Sequence, residues 1–209
     1  MIKIEKPKLI IVAGPNGSGK TTVTEKLLRH KWMKGCVYIN PDIIAEEQFG
    51  GWNSKESIIK AAEQAKKIRE DCLNRKTDIA FETVFSTHEK LEFIKRAKTA
   101  GFFLRMFFVC TDDPAINAAR VAIRVMEGGH EVPIIKIIKR YYKSIANCIE
   151  AVEITDRIYF YDNSINNKDP LLIFRICDGK IAKIYNPLLY WTKNIADSAS
   201  LPYNKKKEK

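Results

Sequence analysis

The chain has 209 residues, of which 45% are hydrophobic and 29% are charged, a composition typical of one globular domain and not of a disordered chain. No apolar run reaches the roughly 18 residues that a membrane helix needs, and the first residues lack a signal-peptide pattern, which indicates a cytoplasmic protein. The five cysteines are far apart and form no C-x-x-C pair, which argues against a zinc site or a disulfide framework. The net charge of +11 suits nucleic acid, an anionic surface or a phosphate-rich ligand.

Strand and helix patterns alternate along the chain. Apolar runs rich in branched and aromatic residues predict strands over 8–13, 37–39, 78–81, 102–110, 157–161, 171–177 and 180–185. Helical spacing of apolar residues predicts helices over 20–31, 55–74, 87–100, 113–127 and 132–150. This alternation predicts an α/β fold whose mostly parallel sheet is covered by helices on both faces. Residues 1–192 are predicted to form one domain, followed by a basic, flexible tail over 193–209.

A phosphate-binding motif follows the first predicted strand. Residues 14–21, GPNGSGKT, match G-x-x-x-x-G-K-[ST] between a strand and a helix. Glycines let successive backbone N–H groups approach phosphate oxygens, and the start of the helix adds its positive end. Lys20 is predicted to reach the outer phosphates of ATP, and the Thr21 hydroxyl is predicted to bind Mg²⁺. The predicted nucleotide-binding residues are Gly14, Pro15, Asn16, Gly17, Ser18, Gly19, Lys20, Thr21 and Thr22.

The nucleotide site favours a small kinase. The guanine-recognition pattern N-K-x-D is not matched, and a mechanical ATPase is usually larger or built from repeated modules. In a small P-loop kinase, a hydroxyl group attacks the γ-phosphate, so a carboxylate is expected near that hydroxyl, at the carboxyl end of a neighbouring strand.

Two carboxylates follow predicted strands. Asp42 comes directly after the strand at 37–39 and is a candidate general base; the alternative is that it caps the next helix. Glu82 ends the strand at 78–81 and suits a contact with magnesium-bound water or with a substrate hydroxyl, while Thr83 and Ser86 add hydroxyls for a polar substrate. The alternative is that Glu82 is a solvated strand end and that Ser86 or Thr87 caps a helix.

A basic segment follows the longest predicted strand. Arg120 and Arg124 are four residues apart in the helix predicted over 113–127, so they share one face, and Gly128-Gly129 follows. Guanidinium groups beside a flexible glycine pair suit a small helical lid that closes over phosphates and neutralises charge during transfer. The alternative is a solvated helix face that makes ordinary salt bridges. His130 is a further candidate in the loop.

Four segments in order resemble the zeta toxin family of P-loop kinases: GPNGSGKTT at 14–22, INPDIIA at 39–45, ETVFST at 82–87, and a block over 113–141 that contains RVAIRVMEGGHEVP. The resemblance spans residues 8–165 and implies the three-layer α/β/α fold of P-loop NTPases. It also implies phosphorylation of UDP-N-acetylglucosamine at a sugar hydroxyl with ATP and Mg²⁺, and a small antitoxin protein that covers the ATP site.

The resemblance implies a role for each matching position. Lys20 and Thr21 match the residues that contact ATP and magnesium, Asp42 matches the catalytic base, and Glu82 matches a substrate-binding acid. Arg120 or Arg124 falls near the first of the family's two phosphate-binding arginines.

The second arginine of the family is replaced here by the stretch GGHEVP, and His130 and Arg140 are the candidates for its place. The predicted function is transfer of the γ-phosphate of ATP to a hydroxyl of a nucleotide sugar. The alternatives are a kinase for another metabolite or a polynucleotide end, and a nucleotide-binding interaction protein paired with an antitoxin. Nucleic acid is the less favoured partner, and no membrane partner is predicted.

Overall fold

A computed structural model describes residues 5–51, 54–129 and 132–199 of the chain. The described strands are β1 (Lys8–Ala13), β2 (Val37–Ile39), β3 (Ile79–Thr83), β4 (Phe103–Cys110), β5 (Arg157–Asp162), β6 (Leu171–Cys177) and β7 (Lys180–Ile184). The described α helices are α1 (Lys20–Leu28), α2 (Pro41–Phe49), α3 (Lys55–Arg75), α4 (His88–Thr99), α5 (Pro114–Met126), α6 (Ile134–Ala151) and α7 (Tyr190–Ser198). A 3₁₀ turn, Lys31–Met33, follows α1.

All strands belong to one sheet, in the order β2-β3-β1-β4-β5-β6-β7. The first five strands are parallel, and β6 and β7 add an antiparallel hairpin to the β5 side. The mostly parallel sheet predicted from the strand and helix alternation is therefore confirmed. Parallel strands bring their carboxyl ends to one edge, which is where such sheets bind ligands.

The sheet has an apolar cluster on each face, because successive residues of a strand point to opposite sides. Leu9 and Ile11 of β1 belong to the larger cluster, to which α3, α4, α6 and α7 contribute buried residues. Ile10 and Val12 belong to the smaller cluster, which α1 covers. This arrangement is the predicted three-layer α/β/α fold. In the part of the chain that the structure describes, no helix is both long enough and apolar enough to cross a membrane.

The C-terminal boundary differs from the prediction. Residues 190–198 form α7, whose Trp191 and Ile195 are buried against the larger cluster. The indole of Trp191 also donates a hydrogen bond of 3.2 Å to Asp162 Oδ1, at the end of β5. The prediction of a flexible tail is therefore wrong for residues 193–199. The apolar residues of α7 recur at helical spacing, so the helix packs against the core as far as Ala199. Residues 200–209 lie outside the described part.

Two smaller differences affect the site. Helix α2 was not among the helices that periodicity predicts; it forms because Asn40 caps its N-terminus and Pro41 occupies the first helical position. Strand β3 continues to Thr83, so Glu82 lies within the strand and pairs with Val12 of β1.

Candidate active site

The phosphate-binding motif lies at the carboxyl edge of the sheet, between the ends of β1, β3, β4 and β5. Gly14 N donates to the Thr83 carbonyl at 3.2 Å, which joins the start of the loop to the end of β3. On the other side, Asn163 N donates to the Cys110 carbonyl at 2.8 Å, which joins the loop after β5 to the end of β4. The predicted nucleotide-binding residues therefore sit where four strands end.

Glycine is required in the loop for two reasons. Gly17 and Gly19 have φ angles of 74° and 88°, the left-handed region that side chains disfavour. A Cβ on Gly17 would also collide with the backbone of Asn117 in α5, and a Cβ on Gly19 with the side chain of Asn163. The loop therefore turns tightly while it packs against two neighbouring elements.

Two asparagines outside the motif bind its carbonyl groups. Asn117 Nδ2 donates to the Asn16 carbonyl at 2.6 Å, and Asn163 Nδ2 donates to the Ser18 carbonyl at 2.9 Å. These bonds fix the orientation of the peptide groups on which an amide-lined anion site depends. Neither residue was among the predicted site residues. The position of Asn163 directly after a strand is a signal that could have found it, whereas Asn117 lies mid-chain in an ordinary helical pattern.

The loop has the features of an anion site. Gly19 precedes α1 and provides no side-chain cap for its free N–H groups, and the first turn of the helix contains no acidic residue. The Ser18 hydroxyl is fully buried and has no hydrogen-bond partner within the described residues. An orphaned donor beside open helix amides fits a ligand rich in acceptor oxygens, such as a triphosphate.

Lys20 is the charged centre of the site. Its ammonium group donates a hydrogen bond of 2.9 Å to the Pro15 carbonyl. The pKa of Lys20 is lowered to about 8, chiefly by desolvation; the charge of Arg124 adds to that shift, and the negative charges of Glu82 and Asp42 oppose it. The structure therefore brings the predicted Asp42, Glu82 and Arg124 within electrostatic range of Lys20.

Asp42 lies in the first turn of α2 and does not cap it. Asn40 is the cap, since its side-chain oxygen accepts a hydrogen bond of 2.9 Å from Asp42 N. The alternative that Asp42 is a helix cap is therefore wrong. Asp42 is exposed, and its carboxylate has no hydrogen bond or ion pair among the described residues, so it is available to a ligand.

Glu82 is a half-buried, hydrogen-bonded carboxylate rather than a solvated strand end. Tyr38 donates to Glu82 Oε1 at 2.9 Å, and Asn40 Nδ2 donates to the Tyr38 hydroxyl at 3.2 Å. Burial and the negative charge of Glu82 raise the pKa of Tyr38, which keeps the tyrosine a donor. Asn40 thus links the two carboxylates, because it caps the helix of Asp42 with its oxygen and supports Tyr38 with its nitrogen.

The hydroxyls after Glu82 differ in their surroundings. Thr83 is buried, and its hydroxyl accepts a hydrogen bond of 3.0 Å from Phe85 N, so it stabilises the turn after β3. Phe85 has a φ of 58° within this turn, and its carbonyl accepts a hydrogen bond of 2.9 Å from Asn147 of α6. Ser86 is half-buried beside them, and Thr87 precedes α4 without a side-chain cap.

The arginines of α5 face different parts of the site. Arg120 donates from Nε and Nη2 to Asn166 Oδ1 at 2.9 and 2.7 Å, so it contacts the loop between β5 and β6. Arg124, one turn further on, is the arginine whose charge acts on Lys20. The two positions share a helix face, as predicted, and of the two only the charge of Arg124 contributes to the lowered pKa of Lys20.

The candidates for the second arginine position are only partly described. Arg140 Nη1 donates to Asn16 Oδ1 at 3.2 Å, so Arg140 lies beside the phosphate loop. His130 lies outside the described residues.

Comparison with known proteins gives the family. The zeta toxin family model matches residues 2–170, which is well over half of the chain. The chain belongs to the zeta toxin family. Among curated proteins, an uncharacterized protein of Haemophilus influenzae is 28% identical to this zeta toxin family member over 123 residues, which are 59% of this chain and 84% of that protein.

Solved structures share the fold of this zeta toxin family member. A chain of the AvrRxo1-ORF1:AvrRxo1-ORF2 complex with sulphate ions gives a TM-score of 0.65 at 15% identity, over 95% of this chain and 66% of that one. A chain of the PezAT chromosomal toxin–antitoxin system of Streptococcus pneumoniae gives 0.58 at 18% identity, over 80% and 70%. At such identities the likeness shows the fold alone. The predicted family and its P-loop kinase fold are confirmed.

Proposed function

We propose that this zeta toxin family member transfers the γ-phosphate of ATP to a hydroxyl group of a nucleotide sugar, with UDP-N-acetylglucosamine as the first candidate. The observation that carries the proposal is the grouping of Asp42, Glu82 and Arg124 within electrostatic range of the half-buried Lys20. Phosphoryl transfer depends on positioning and on charge stabilisation, and it needs cations at the phosphates and an acceptor for the hydroxyl proton.

The phosphate side of the site is formed by residues 14–22. The amides of the loop and of the first turn of α1 bind the phosphates, and the Ser18 hydroxyl gains a partner. The ammonium group of Lys20 exchanges its hydrogen bond to the Pro15 carbonyl for one to a phosphate oxygen. The negative phosphate then favours the protonated, charged form of the lysine. Magnesium, when bound, neutralises charge on the β- and γ-phosphates. The Thr21 hydroxyl would hold it, and no cluster of three or more His, Cys, Asp or Glu within the described ranges offers another site.

The acceptor side is formed by the two carboxylates. Asp42 accepts the proton of the attacking hydroxyl, for which its exposed and unpaired carboxylate is suited. Glu82, fixed by Tyr38, accepts a hydrogen bond from a second hydroxyl and so orients the substrate. Arg124 neutralises charge on the group in transfer, and Arg140 orders the phosphate loop through Asn16. A sugar suits this arrangement because it presents neighbouring hydroxyl donors to two carboxylate acceptors.

A product analysis tests the proposal. The purified protein is incubated with ATP, Mg²⁺ and a panel of UDP-sugars, nucleosides and oligonucleotides with free 5′ hydroxyls, and products are identified by mass spectrometry. We expect a UDP-sugar to gain one phosphate group, and we expect the Asp42→Asn variant to form none. Phosphorylation of another acceptor class alone would remove the sugar assignment. ATP turnover that is indifferent to every acceptor would remove the kinase assignment.

We also propose that this chain acts in the cytoplasm, where ATP and UDP-sugars are available. We further propose that a small antitoxin protein covers its phosphate loop. The support is the fold shared with a chain of the PezAT toxin–antitoxin system. Co-expression with the short acidic protein encoded next to this chain, where one exists, tests the pairing. A stable complex that fails to bind ATP is expected, and a complex with full ATP binding would contradict it.

A further inference from the structure

The sheet has a face that helices cover only in part. On the α1 side, coverage ends at the 3₁₀ turn, where the Trp32 ring lies 5.9 Å from the rings of Phe107 and Tyr159. The cluster beneath α1 includes no residue of β7 and none of β6 except the half-buried Leu172. Within the described residues, the other helices that cover the sheet belong to the opposite face. Strands β6 and β7, together with the Arg157 end of β5, therefore have one surface that no described helix covers.

This open basic face is defined by three cations and one exposed ring: Arg157, Arg175, Lys183 and Tyr185. At its border, the buried Tyr159 and the half-buried Tyr161 belong to the cluster beneath α1. Tyr159, Arg175 and Lys183 are direct neighbours across β5, β6 and β7. Arg175 lies 6.0 Å from the centre of the Tyr159 ring, and Lys183 lies 4.7 Å from that of Tyr185. At the border, Arg105 lies 3.8 Å from the centre of the Trp32 ring. On the exposed part of the face, the cations therefore lie beside one exposed ring, that of Tyr185.

The positive charge of the open basic face is not neutralised. In the part of the chain that the structure describes, Arg157, Arg175 and Lys183 have no ion pair with a carboxylate. The Nε atom of Arg175 is buried and lacks a hydrogen-bond partner there. At the edges of the face, Asp156 is paired with Lys98 at 2.7 Å, and the carboxylate of Asp178 lies in the turn between β6 and β7. Unpaired cations on a flat surface suit an extended anionic partner.

We propose that the open basic face binds single-stranded nucleic acid, with the phosphates on its cations and a base stacked on the exposed ring of Tyr185. Proteins that bind single strands combine cations that follow the backbone with aromatic rings that stack on bases. A second copy of the chain is disfavoured as the occupant because each copy carries a net charge of +11. The face lies at the β5–β7 end of the sheet, whereas Asp42 follows β2 at the opposite end, so this binding is separate from the acceptor site.

The test is binding of a fluorescent 12-nucleotide oligouridylate, followed by anisotropy from low to moderate salt. The first variant, R157Q/R175Q/K183Q, removes three charges from the face. The matched control, K55Q/K67Q/R75Q, removes three charges from α3 on the opposite side of the sheet. For single strands, the logarithm of the binding constant falls with the logarithm of the salt concentration with a slope of about 0.7 per phosphate contact. We therefore expect the slope of the first variant to be smaller by about 2 and its affinity at 0.1 M salt to be roughly 100-fold lower. The control should change little.

Further measurements separate nucleic acid from other polyanions. Tyr185→Ala should lower affinity roughly tenfold because a stacked base loses its ring, while ATP binding should stay unchanged. If the triple variant is unstable, the double variant R157Q/K183Q can replace it, because both positions are exposed. Its salt slope should be smaller than that of the wild type by about 1.4. Equal losses in the α3 control, unchanged affinity in Tyr185→Ala, equal competition by polyglutamate, or no binding by the wild-type chain would each overturn the proposal. Equal competition by polyglutamate would point to an acidic protein partner instead.

Discussion

Replacing Tyr38 by phenylalanine removes one oxygen atom that connects the two carboxylates of the site. That hydroxyl donates to Glu82 at 2.9 Å and accepts from Asn40 at 3.2 Å. A hydrogen bond to a charged group contributes about 1.5–3 kcal/mol, and the lower end applies because both Tyr38 and Glu82 are only half-buried. A loss of about 1.5 kcal/mol corresponds to roughly a tenfold lower kcat/KM for the acceptor. Affinity for ATP should not change, since Tyr38 does not contact the phosphate loop.

The assay is steady-state transfer with varied acceptor, together with a separate measurement of ATP affinity. Tyr161→Phe is the matched control, because it removes the hydroxyl of another half-buried tyrosine in β5, four strands away from β2. In a double-mutant cycle with Glu82→Gln, the effect of Tyr38→Phe should shrink, since the two residues act through one contact. Additive effects in that cycle, or a loss that appears only in ATP affinity, would refute the positioning of Glu82 by Tyr38.

Three further predictions concern the charge, the backbone and the packing of the protein. The pKa of Lys20 is about 8 without ligand and should rise when phosphates bind. ATP binding should therefore take up a proton at pH 8.5–9 and weaken as the pH rises through this range. Calorimetry in buffers of different ionisation enthalpy measures this proton uptake, and an absence of uptake would contradict the prediction. Gly17→Ala forces a Cβ against Asn117 at a φ of 74°, and ATP affinity should fall at least tenfold while the fold persists; unchanged affinity would show a more tolerant loop. Trp191→Ala should lower the free energy of unfolding by about 3–5 kcal/mol in urea, and a change under 1 kcal/mol would mean that α7 does not belong to the core.

The sequence predicted the elements with strong periodicity and missed those that depend on caps or distant contacts. Strand β1 and the predicted helix over 55–74 match the structure within a residue, because their apolar residues repeat regularly. Helix α2 has a weak apolar pattern, and it depends on the cap that Asn40 supplies. The lysine-rich end of the chain concealed the short apolar stripe of α7, whose Trp191 packs against residues from distant strands.

The site shows the same division between local and distant information. The phosphate loop is a continuous pattern, so its residues could be identified directly. Asn117 and Asn163 contact that loop from 101 and 145 residues away, and only the folded sheet brings them there. Arg120 and Arg124 share a helix face in any structure, and the placement of α5 against the loop after β5 decides which of them approaches Lys20.

In the proposed mechanism, Asp42 receives the proton of the acceptor hydroxyl, while the phosphate loop binds ATP without its help. Rapid-quench, single-turnover transfer from γ-labelled ATP to the acceptor, measured for the wild type and for Asp42→Asn alongside ATP affinity, tests this directly. The account predicts a transfer rate lower by about 10²–10⁴-fold in the variant, with ATP affinity changed by no more than about twofold. Transfer at the wild-type rate in an Asp42→Asn protein that binds ATP normally would contradict it.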